Sequence, residues 1–221
     1  MRLLFTADVQ AEFDNLDLCQ QVGEDILRIC KEKNLDGFVV AGDLKRAYNP
    51  VDVRVTNFWM DLIYTACKIL EVYIVLGNHD RVGMYSEAHN WFPSLAKAGA
   101  RIAADGPAIF GPLFCLPFCS SVETTKRWAK QLAKAAKRVK GTKVLVFHND
   151  LKGCAYNALG NKSEARLKVS DLCPDSYSYC FGGHVHLQQR IGDNVYYLGS
   201  PFASDWGECN QLKRYTVVLD D

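Results

Sequence analysis

The chain has 221 residues, of which 48% are hydrophobic and 23% charged, and its net charge at pH 7 is +1. These values are typical of a globular protein and exclude a disordered chain, so we expect a single domain over residues 1–221. The balanced charge excludes a generally basic surface for nucleic acid or membranes. No apolar run approaches the roughly 18 residues that a membrane helix needs, and no segment resembles a targeting signal.

The nine cysteines are scattered along the chain, and none of them forms a Cys-x-x-Cys pair. Several, such as Cys30, Cys67 and Cys180, fall in apolar stretches, where cysteine behaves as a small hydrophobic residue. We therefore expect reduced thiols in a cytoplasmic protein.

Strand and helix patterns alternate along the first half of the chain. Short apolar runs predict strands at residues 3–7, 37–41 and 72–76. Apolar residues at helical spacing predict helices at residues 15–33, 49–70 and 86–98. The second of these helices is predicted to begin with Asn49 as its N-cap and Pro50 at its first position.

The second half of the chain has more strands and fewer helices. A strand-and-turn region with Asp105-Gly106-Pro107 and Gly111-Pro112 comes first. Ser120 and Glu123 then form a capping box that predicts a helix to about Lys140. Further strands are predicted at residues 143–147, 177–181, 195–198 and 215–219. This order predicts an α/β sandwich with helices outside a central sheet.

Five polar motifs begin where predicted strands stop. They are Asp8-Val9-Gln10, Gly42-Asp43, Gly77-Asn78-His79-Asp80, His148 and Gly183-His184-Val185-His186. Ligands in α/β folds collect at the carboxyl ends of strands, so we expect these motifs to converge. Carboxylate oxygens and imidazole nitrogens suit Mn, Fe, Zn or Mg. The sequence therefore indicates a site for divalent cations.

Each motif taken alone has a simpler interpretation. A strand-end aspartate such as Asp8 or Asp43 is usually a helix cap or turn residue. A lone His148 would more often be a hydrogen-bonded core histidine. The order of the five motifs favours ligand roles for all three residues. His89, the one histidine outside the motifs, is predicted on the surface of a helix.

From Asp8 to His186, the motifs and their order resemble those of the calcineurin-like metallophosphoesterase family. The resemblance implies a four-layer α/β/β/α sandwich with mixed sheets and two metal ions at the carboxyl ends of the strands. It implies one metal held by Asp8, Gln10 and His186, a second held by Asn78, His148 and His184, and Asp43 bridging both. Mn is the expected metal, with Mg, Fe or Zn as alternatives.

The resemblance also implies the catalytic groups. His79 would face the phosphate and protonate the leaving oxygen or stabilise its charge, and Asp80 would orient His79. A water activated by the cations would attack phosphorus in line. Four basic residues that flank the motifs are candidates for phosphate binding: Lys45, Arg46, Arg54 and Arg81.

Gln10 departs from the family pattern, which has a histidine at this position. A glutamine oxygen is neutral and usually a weaker ligand than imidazole. It would either coordinate the metal directly or hold a metal-bound water. We expect lower affinity at this site, or a preference for Mn or Mg over Zn.

The segment from Gly199-Ser200-Pro201 to Asp205-Trp206-Gly207-Glu208 resembles one in SbcD-type DNA repair nucleases, including phage-encoded relatives. A turn with a packed aromatic residue is the alternative interpretation. Such nucleases commonly dimerise and work with an ATPase partner, although no segment here demands either. The chain ends one strand later, without their capping domain, and lacks their usual acidic residue after Asp43. The implied location is the cytoplasm, or the host cytoplasm for a phage protein.

Three functions remain open from the sequence. The favoured one is a metal-dependent DNA nuclease, followed by a phosphoesterase for a nucleotide or cyclic nucleotide. The third, an inactive scaffold of the same fold, is disfavoured by intact His79, His184 and His186.

Residues 124–149 carry eight Lys or Arg and no Asp or Glu. For that region, a solvated helix face is favoured over contact with the DNA backbone.

Overall fold

The computed structural model describes residues 1–83, 89–157, 159–208 and 211–219. Its helices are α1 (Leu16–Glu32), α2 (Val53–Ala66), α3 (Phe92–Lys97) and α4 (Val122–Ala136). Its strands are β1 (Arg2–Thr6), β2 (Gly37–Val40), β3 (Glu71–Val75), β4 (Arg101–Ala103), β5 (Ala108–Phe110), β6 (Leu113–Leu116), β7 (Val144–His148), β8 (Tyr179–Gly183), β9 (Gln189–Arg190), β10 (Val195–Tyr197) and β11 (Thr216–Leu219).

The strands form two mixed sheets. The first has the order β11-β1-β2-β3-β4, in which β1 to β4 are parallel and β11 is antiparallel to β1. The second has the order β5-β6-β7-β8-β10-β9, with parallel strands flanked by antiparallel β5 and β9. Parallel pairing brings the carboxyl ends of the central strands to one edge of each sheet.

Three apolar layers hold the sheets and helices together. Side chains such as Phe5, Val146 and Phe181 pack between the two sheets. Helices α1, α2 and α3 cover the other face of the first sheet, around Trp59. Helix α4 covers the other face of the second sheet, where Leu132 is buried. These layers confirm the four-layer α/β/β/α sandwich that the family resemblance implies.

Two predicted helices begin later than expected. Helix α2 has Asp52 as its N-cap, whose side chain accepts a hydrogen bond from the Arg54 backbone N–H, so the predicted start at Asn49 and Pro50 is wrong. The Asn49–Pro50 peptide bond is cis and precedes the helix. Helix α3 covers only part of the predicted segment, of which residues 86–88 lie outside the described residues.

Helix α4 is one residue out of register with its prediction. Its N-cap is Ser121, whose hydroxyl accepts from the Thr124 backbone N–H at 3.2 Å, and not Ser120. Helix α4 ends at Ala136, four residues before the predicted end. Four basic residues of this region are exposed, as expected for a solvated face: Lys130 and Lys134 on the helix, and Lys137 and Arg138 directly after it. The strand-and-turn region before the helix contains β4, β5 and β6.

None of the eight described cysteines forms a disulfide bond, and six of them are buried. Burial raises the pKa of Cys115 and Cys180 to about 12, so these thiols are protonated and unreactive at neutral pH. Cys209 lies outside the described residues. None of the helices in the described ranges has the length and apolar character needed to cross a bilayer.

Candidate metal centre and active site

The glycines of the motifs allow the strand ends to pack directly against one another. A Cβ atom on Gly77 would lie 2.2 Å from Asp43 Oδ1, and one on Gly42 would lie 2.2 Å from His148 Nδ1. Gly42 also has a φ of +90°, which L side chains rarely adopt. Glycine at these positions therefore lets Asp43 and His148 sit where the two sheets meet.

The four side chains assigned to the second metal converge on one point. The Asn78 Oδ1 atom lies 3.2 Å from His148 Nε2 and 2.8 Å from His184 Nδ1. The Asp43 Oδ1 atom lies 3.4 Å from the same His148 nitrogen. His148 Nδ1 is 2.7 Å from the Ala41 carbonyl oxygen, so Nδ1 carries a proton and Nε2 is the ring nitrogen left to bind a metal. This set supplies two imidazoles, one amide oxygen and one carboxylate.

The residues assigned to the first metal are less compact. Both Asp8 carboxylate oxygens accept the His184 backbone N–H, at 2.9 and 3.0 Å. The Gln10 side-chain amide donates to Asp43 Oδ2 at 3.4 Å. In the part of the chain that the structure describes, the acidic, histidine and cysteine side chains that form a group of three or more with ligand atoms within 4.8 Å of one another are Asp43, His148 and His184. Asp8 and His186 therefore border the compact set without belonging to it.

Backbone strain is concentrated at these positions. Asp8, Gln10, Asp43 and His184 all have positive φ, between 46° and 84°. Residues other than glycine adopt this region at a cost of about 1–3 kcal/mol each, and they do so most often at functional sites. The tight turns after β1, β2 and β8 aim these side chains toward one another.

Three buried carboxylates share this edge of the sheets. Burial raises the pKa of Asp8 to about 6 and that of Asp80 to about 7. Burial acts in the same sense on Asp43, but the neighbouring His148 outweighs it and lowers the Asp43 pKa. Buried negative charge is stable only beside a cation or strong donors. These acids, together with imidazole nitrogens, fit the divalent cations that the family resemblance implies.

The two histidines closest to Asn78 titrate in opposite directions. Burial would lower the pKa of His148, but Asp43 and Asp8 raise it to about 9. Burial and the neighbouring His148 lower the pKa of His184 to about 4. His184 is therefore neutral at physiological pH, the form in which imidazole binds metals.

His79 lies next to this set and is held by its own neighbours. Its backbone N–H donates to Asp43 Oδ1 at 2.8 Å, and its Nδ1 atom lies 2.6 Å from the Arg46 carbonyl oxygen. A carbonyl only accepts, so Nδ1 carries a proton and Nε2 is left to exchange one. The Tyr48 ring stacks on the imidazole, with the ring centroids 4.6 Å apart.

Asp80 does not make the contact that the sequence predicts. Its carboxylate accepts the backbone N–H groups of Gly77, Asp43 and Leu44 at 2.9 to 3.0 Å, so the described contacts provide no link to the His79 ring. The prediction that Asp80 orients His79 is corrected: the Arg46 carbonyl takes that place. Asp80 instead fixes the backbone that carries Asp43.

Comparison with known proteins identifies the family. Residues 1–188 match the Calcineurin-like phosphoesterase family. The chain belongs to this family. The domain is therefore a metallophosphoesterase domain, as the motifs predict.

Two viral proteins are similar to this phosphoesterase domain over nearly its whole length. It is 24% identical over 224 residues to 078R, a candidate phosphoesterase of Invertebrate iridescent virus 3, and the match covers 97% of the chain. It is 21% identical over 236 residues to 244L, a candidate phosphoesterase of Invertebrate iridescent virus 6, with 100% of the chain covered. The chain spans 62% of 078R and 77% of 244L.

Solved structures share the fold at low sequence identity. One crystal structure matches 90% of the chain and 90% of its own length at 13% identity, with a TM-score of 0.55. Pseudomonas putida nuclease MPE covers 92% of the chain and 76% of its own length at 16% identity, with a TM-score of 0.46. The E. coli phosphoesterase Yfce covers 98% of the chain and 87% of its own length at 10% identity, with a TM-score of 0.43. The first likeness supports the fold alone, and the other two scores are too low to carry an argument.

Two basic residues predicted to bind phosphate are buried supports of the phosphoesterase domain. The Lys45 ammonium donates to the backbone oxygens of Ala47 (2.7 Å), Tyr48 and Arg81 (3.1 Å each) and to that of His79. Arg81 is also buried and donates to the Phe118 carbonyl at 2.7 Å. Because the Lys45 ammonium is committed to backbone carbonyls, its assignment to phosphate is corrected. Arg81 contacts Phe118 through Nη2, but its buried Nη1 atom has no hydrogen-bond partner among the described residues, so phosphate binding by Arg81 stays a prediction.

The other two candidates are partly exposed. The Arg54 guanidinium pairs with Asp52 at 2.6 Å and lies 3.5 Å from the centroid of the Phe13 ring. The Arg46 side chain is 39% exposed and pairs with Glu12 at 3.2 Å. Because the Arg46 backbone contacts His79, Arg46 is the candidate best placed to meet a phosphate.

Sequence reasoning missed several groups around the site. A cavity of about 280 Å³ borders His184 and His186, and it is lined by Tyr156, Asn157, Val185, Asp205, Gly207 and Glu208. Tyr48, which stacks on His79, lies in a stretch with no motif to mark it. Glu208 lies 2.7 Å from His186 Nδ1 and belongs to the segment that resembles SbcD-type nucleases. That resemblance was the only signal in the sequence for Asp205, Gly207 and Glu208, and nothing in the sequence marked Tyr48, Tyr156 or Asn157.

Proposed function

We propose that this domain is a dinuclear-metal phosphodiesterase that cleaves DNA, as an SbcD-like nuclease would. The observation that carries the proposal is the convergence of Asp43, Asn78, His148 and His184 beside His79. Donors contributed by both sheets meet at one point next to a histidine with a free ring nitrogen. An inactive scaffold has no need of this arrangement.

Divalent cations bound at this site supply an activated water nucleophile and neutralise charge on the phosphoryl group. Asp43, Asn78, His148 and His184 would hold one ion, and Asp8, Gln10 and His186 would hold the other together with Asp43. We propose Mn, with Mg, Fe or Zn as alternatives, because oxygen and imidazole donors suit these metals.

His79 is the proposed proton donor. With Nδ1–H fixed to the Arg46 carbonyl, a second proton on Nε2 is available for the leaving oxygen of the cleaved diester. Stacking on Tyr48 holds the ring plane. Asp80 acts indirectly, because it fixes the backbone of Asp43.

Exposed aromatic rings near the metal residues support a nucleic-acid substrate. Tyr156 lines the cavity beside His184 and is 44% exposed. Trp206 is 92% exposed and lies between two residues that line the same cavity. Bases of any nucleic-acid sequence stack on such rings, and this stacking contributes about 1–3 kcal/mol of binding free energy per base. A partly exposed Arg46 adds a candidate phosphate contact.

A small nucleotide or cyclic nucleotide is the second candidate substrate. The cavity of about 280 Å³ is close to the lower end of small-molecule pockets, roughly 300–1,000 Å³. A mononucleotide would use the same metals and the same rings, so only the length of the substrate separates the two proposals.

Hydrolysis assays with Mn test the proposal in two stages. Bis-p-nitrophenyl phosphate tests for phosphodiesterase activity, and labelled single- and double-stranded DNA is then compared with cyclic nucleotides. His79→Ala should lower the rate about 10²–10⁴-fold. His89→Ala, at an exposed histidine outside the motifs, should leave the rate unchanged. Intact DNA under conditions that cleave the small diester would overturn the DNA proposal, and an inert small diester would overturn the activity itself.

The resemblance to SbcD-type nucleases also implies a cellular location and protein partners, which we propose here. We propose a cytoplasmic location, the host cytoplasm for a phage protein, and the free buried thiols support it. A homodimer and an ATPase partner are also proposed. Light scattering of the purified chain measures the first, and a monomer at all concentrations would contradict it.

A further inference from the structure

The segment after β10 lies outside the family match, which ends at residue 188, and it forms a polar cluster with His186. Glu208 is only 3% exposed and forms the centre of this cluster. It contacts the side chains of His186, Ser200, Ser204 and Lys213. We call these five residues the Glu208 cluster.

The contact with His186 fixes the chemistry of that ring. Glu208 Oε1 lies 2.7 Å from His186 Nδ1. A carboxylate only accepts hydrogen bonds, so Nδ1 carries a proton and Nε2 is the ring nitrogen left to bind a metal. Histidines that bind metals commonly donate their other ring N–H to a carboxylate in this way.

The remaining members of the cluster hold the Glu208 carboxylate still. The Ser204 hydroxyl donates to Oε1 at 2.7 Å, and Oε2 accepts from the Ser200 hydroxyl and the Lys213 ammonium. Lys213 is itself mostly buried, with 16% of its side chain exposed, so it balances the buried negative charge. The Ser200 backbone N–H donates to the His186 carbonyl at 3.2 Å, which ties the segment to the metal motif.

We propose that Glu208 is a positioning residue for the first metal: it selects the His186 tautomer in which Nε2 would be left to bind the ion, and it keeps the ring in place. This inference rests on the proposed function, because it assumes that His186 is a metal ligand. Ser200, Ser204 and Lys213 act through Glu208.

The position matters because this metal has the weaker set of ligands. Gln10 supplies an amide where the family has an imidazole, so His186 is the only imidazole assigned to the first metal. A carboxylate on Nδ1 raises the basicity of the ring and thereby strengthens Nε2 as a ligand. Glu208 therefore offsets part of the loss at position 10.

Calorimetric titration of the metal-free protein with Mn tests the proposal without any substrate. Glu208→Gln keeps the size of the side chain, but its amide can either accept from or donate to His186 Nδ1. One of two bound ions should bind about 10–100-fold more weakly, while the other keeps its affinity. Glu71→Gln is the control and should change neither affinity, because Glu71 pairs with Arg101 on the surface at the start of β3, at the opposite end of the strand from the site.

Nitrogen NMR of the metal-free protein reads the tautomer of His186 directly. The wild-type ring should be protonated on Nδ1, and Glu208→Gln should populate the form protonated on Nε2. Lys213→Met leaves the contact between Glu208 and His186 in place but removes the ammonium that holds the Glu208 carboxylate. The Mn affinity of this variant should therefore fall between those of wild type and Glu208→Gln. If Glu208→Gln does not fold, Glu208→Asp, which retracts the carboxylate by one methylene, serves for both measurements.

The outcomes separate this inference from the proposed function. Wild-type protein that binds no Mn would overturn the proposed function. Wild-type protein that binds two ions, with variants that bind both equally well or lose both equally, would overturn the role of Glu208 alone. An unchanged His186 tautomer in Glu208→Gln would also overturn it.

Discussion

At the scale of single residues, Gln10 decides how the first metal is held. Its amide donates to Asp43 Oδ2 at 3.4 Å, so in this arrangement the amide nitrogen, and not the oxygen, faces the shared carboxylate. Its φ of 46° is tolerated by few residue types. Histidine is among those enriched in this region, so the backbone suits the residue that the family has here.

We predict that Gln10→His strengthens the first metal site. An imidazole nitrogen replaces a neutral amide oxygen, and the gain should be largest for Zn, which favours nitrogen donors. The expected effect is about tenfold tighter binding of one ion, or roughly 1.4 kcal/mol. Calorimetry with Zn and Mn measures it, with the second ion as internal control. Unchanged affinity and unchanged metal preference would contradict the prediction.

Lys45 is a second residue whose role changed between sequence and structure. Its ammonium lies within hydrogen-bond distance of four backbone carbonyls around His79, to which its three N–H groups donate, and Lys45 is only 1% exposed. Lys45→Met keeps most of the length of the side chain but leaves these buried acceptors without their donor. We expect the free energy of unfolding to fall by about 3 kcal/mol. Urea denaturation measures it, and an unchanged midpoint with weaker DNA binding would restore the phosphate-binding role.

At the scale of elements, the site lies at the ends of the strands, and glycine residues leave the space for these ends to pack against one another. A Cβ on Gly77 would collide with the Asp43 backbone N–H and its Oδ1 atom. Gly77→Ala should therefore displace Asp43, weaken Mn binding about tenfold or more, and lower stability by about 1–3 kcal/mol. Gly106→Ala is the matched control, because a Cβ there would meet only Trp128 at 4.0 Å. Equal effects of the two substitutions would contradict this account.

Helix α4 provides a prediction about where an element begins. Ser121, and not Ser120, caps the Thr124 backbone N–H. Ser121→Ala should lower the free energy of unfolding by about 1 kcal/mol. Ser121→Asp, which restores a capping oxygen, should keep most of the stability of the wild-type protein. Thermal unfolding of both variants measures the difference. An equal loss in the two variants would argue against a capping role.

The sequence predicted the order of the elements better than their ends. The strands before Asp8, Asp43, Asn78 and His148 were predicted because buried apolar runs end abruptly at polar motifs. The α2 boundary was wrong, since Asn49 and Pro50 carry a cap signature that Asp52 overrides with an actual hydrogen bond. Short edge strands such as β9 have too few residues to show a period.

The site was predicted through its motifs and missed where it depends on contacts distant in sequence. Local motifs marked Asn78 and His184. No local sequence pattern indicates that the Arg46 carbonyl, rather than Asp80, contacts the His79 ring. Likewise, the link between His186 and Glu208 spans 22 residues and exists only once the last strands have packed.

At the scale of the whole molecule, the proposed metal site joins the two sheets. Asp43 and Asn78 follow strands of the first sheet, whereas His148 and His184 belong to the end of the second. Between them lies the apolar layer that includes Phe5 and Phe181. An ion bound by all four residues would cross-link the sandwich at one edge, where buried carboxylates otherwise lie close together.

Metal binding should therefore stabilise the fold as a whole. Mn at 100 times its dissociation constant should raise the free energy of unfolding by about 2.7 kcal/mol per site, because the ion binds the folded state and not the unfolded chain. His148→Ala removes one ligand from the second sheet and should abolish the increment of the compact site. His89→Ala should keep it, since that exposed side chain lies outside the motifs. Urea denaturation with and without Mn measures each increment. If wild type and His148→Ala gained equal stability from Mn, the ion would not bridge the two sheets through His148.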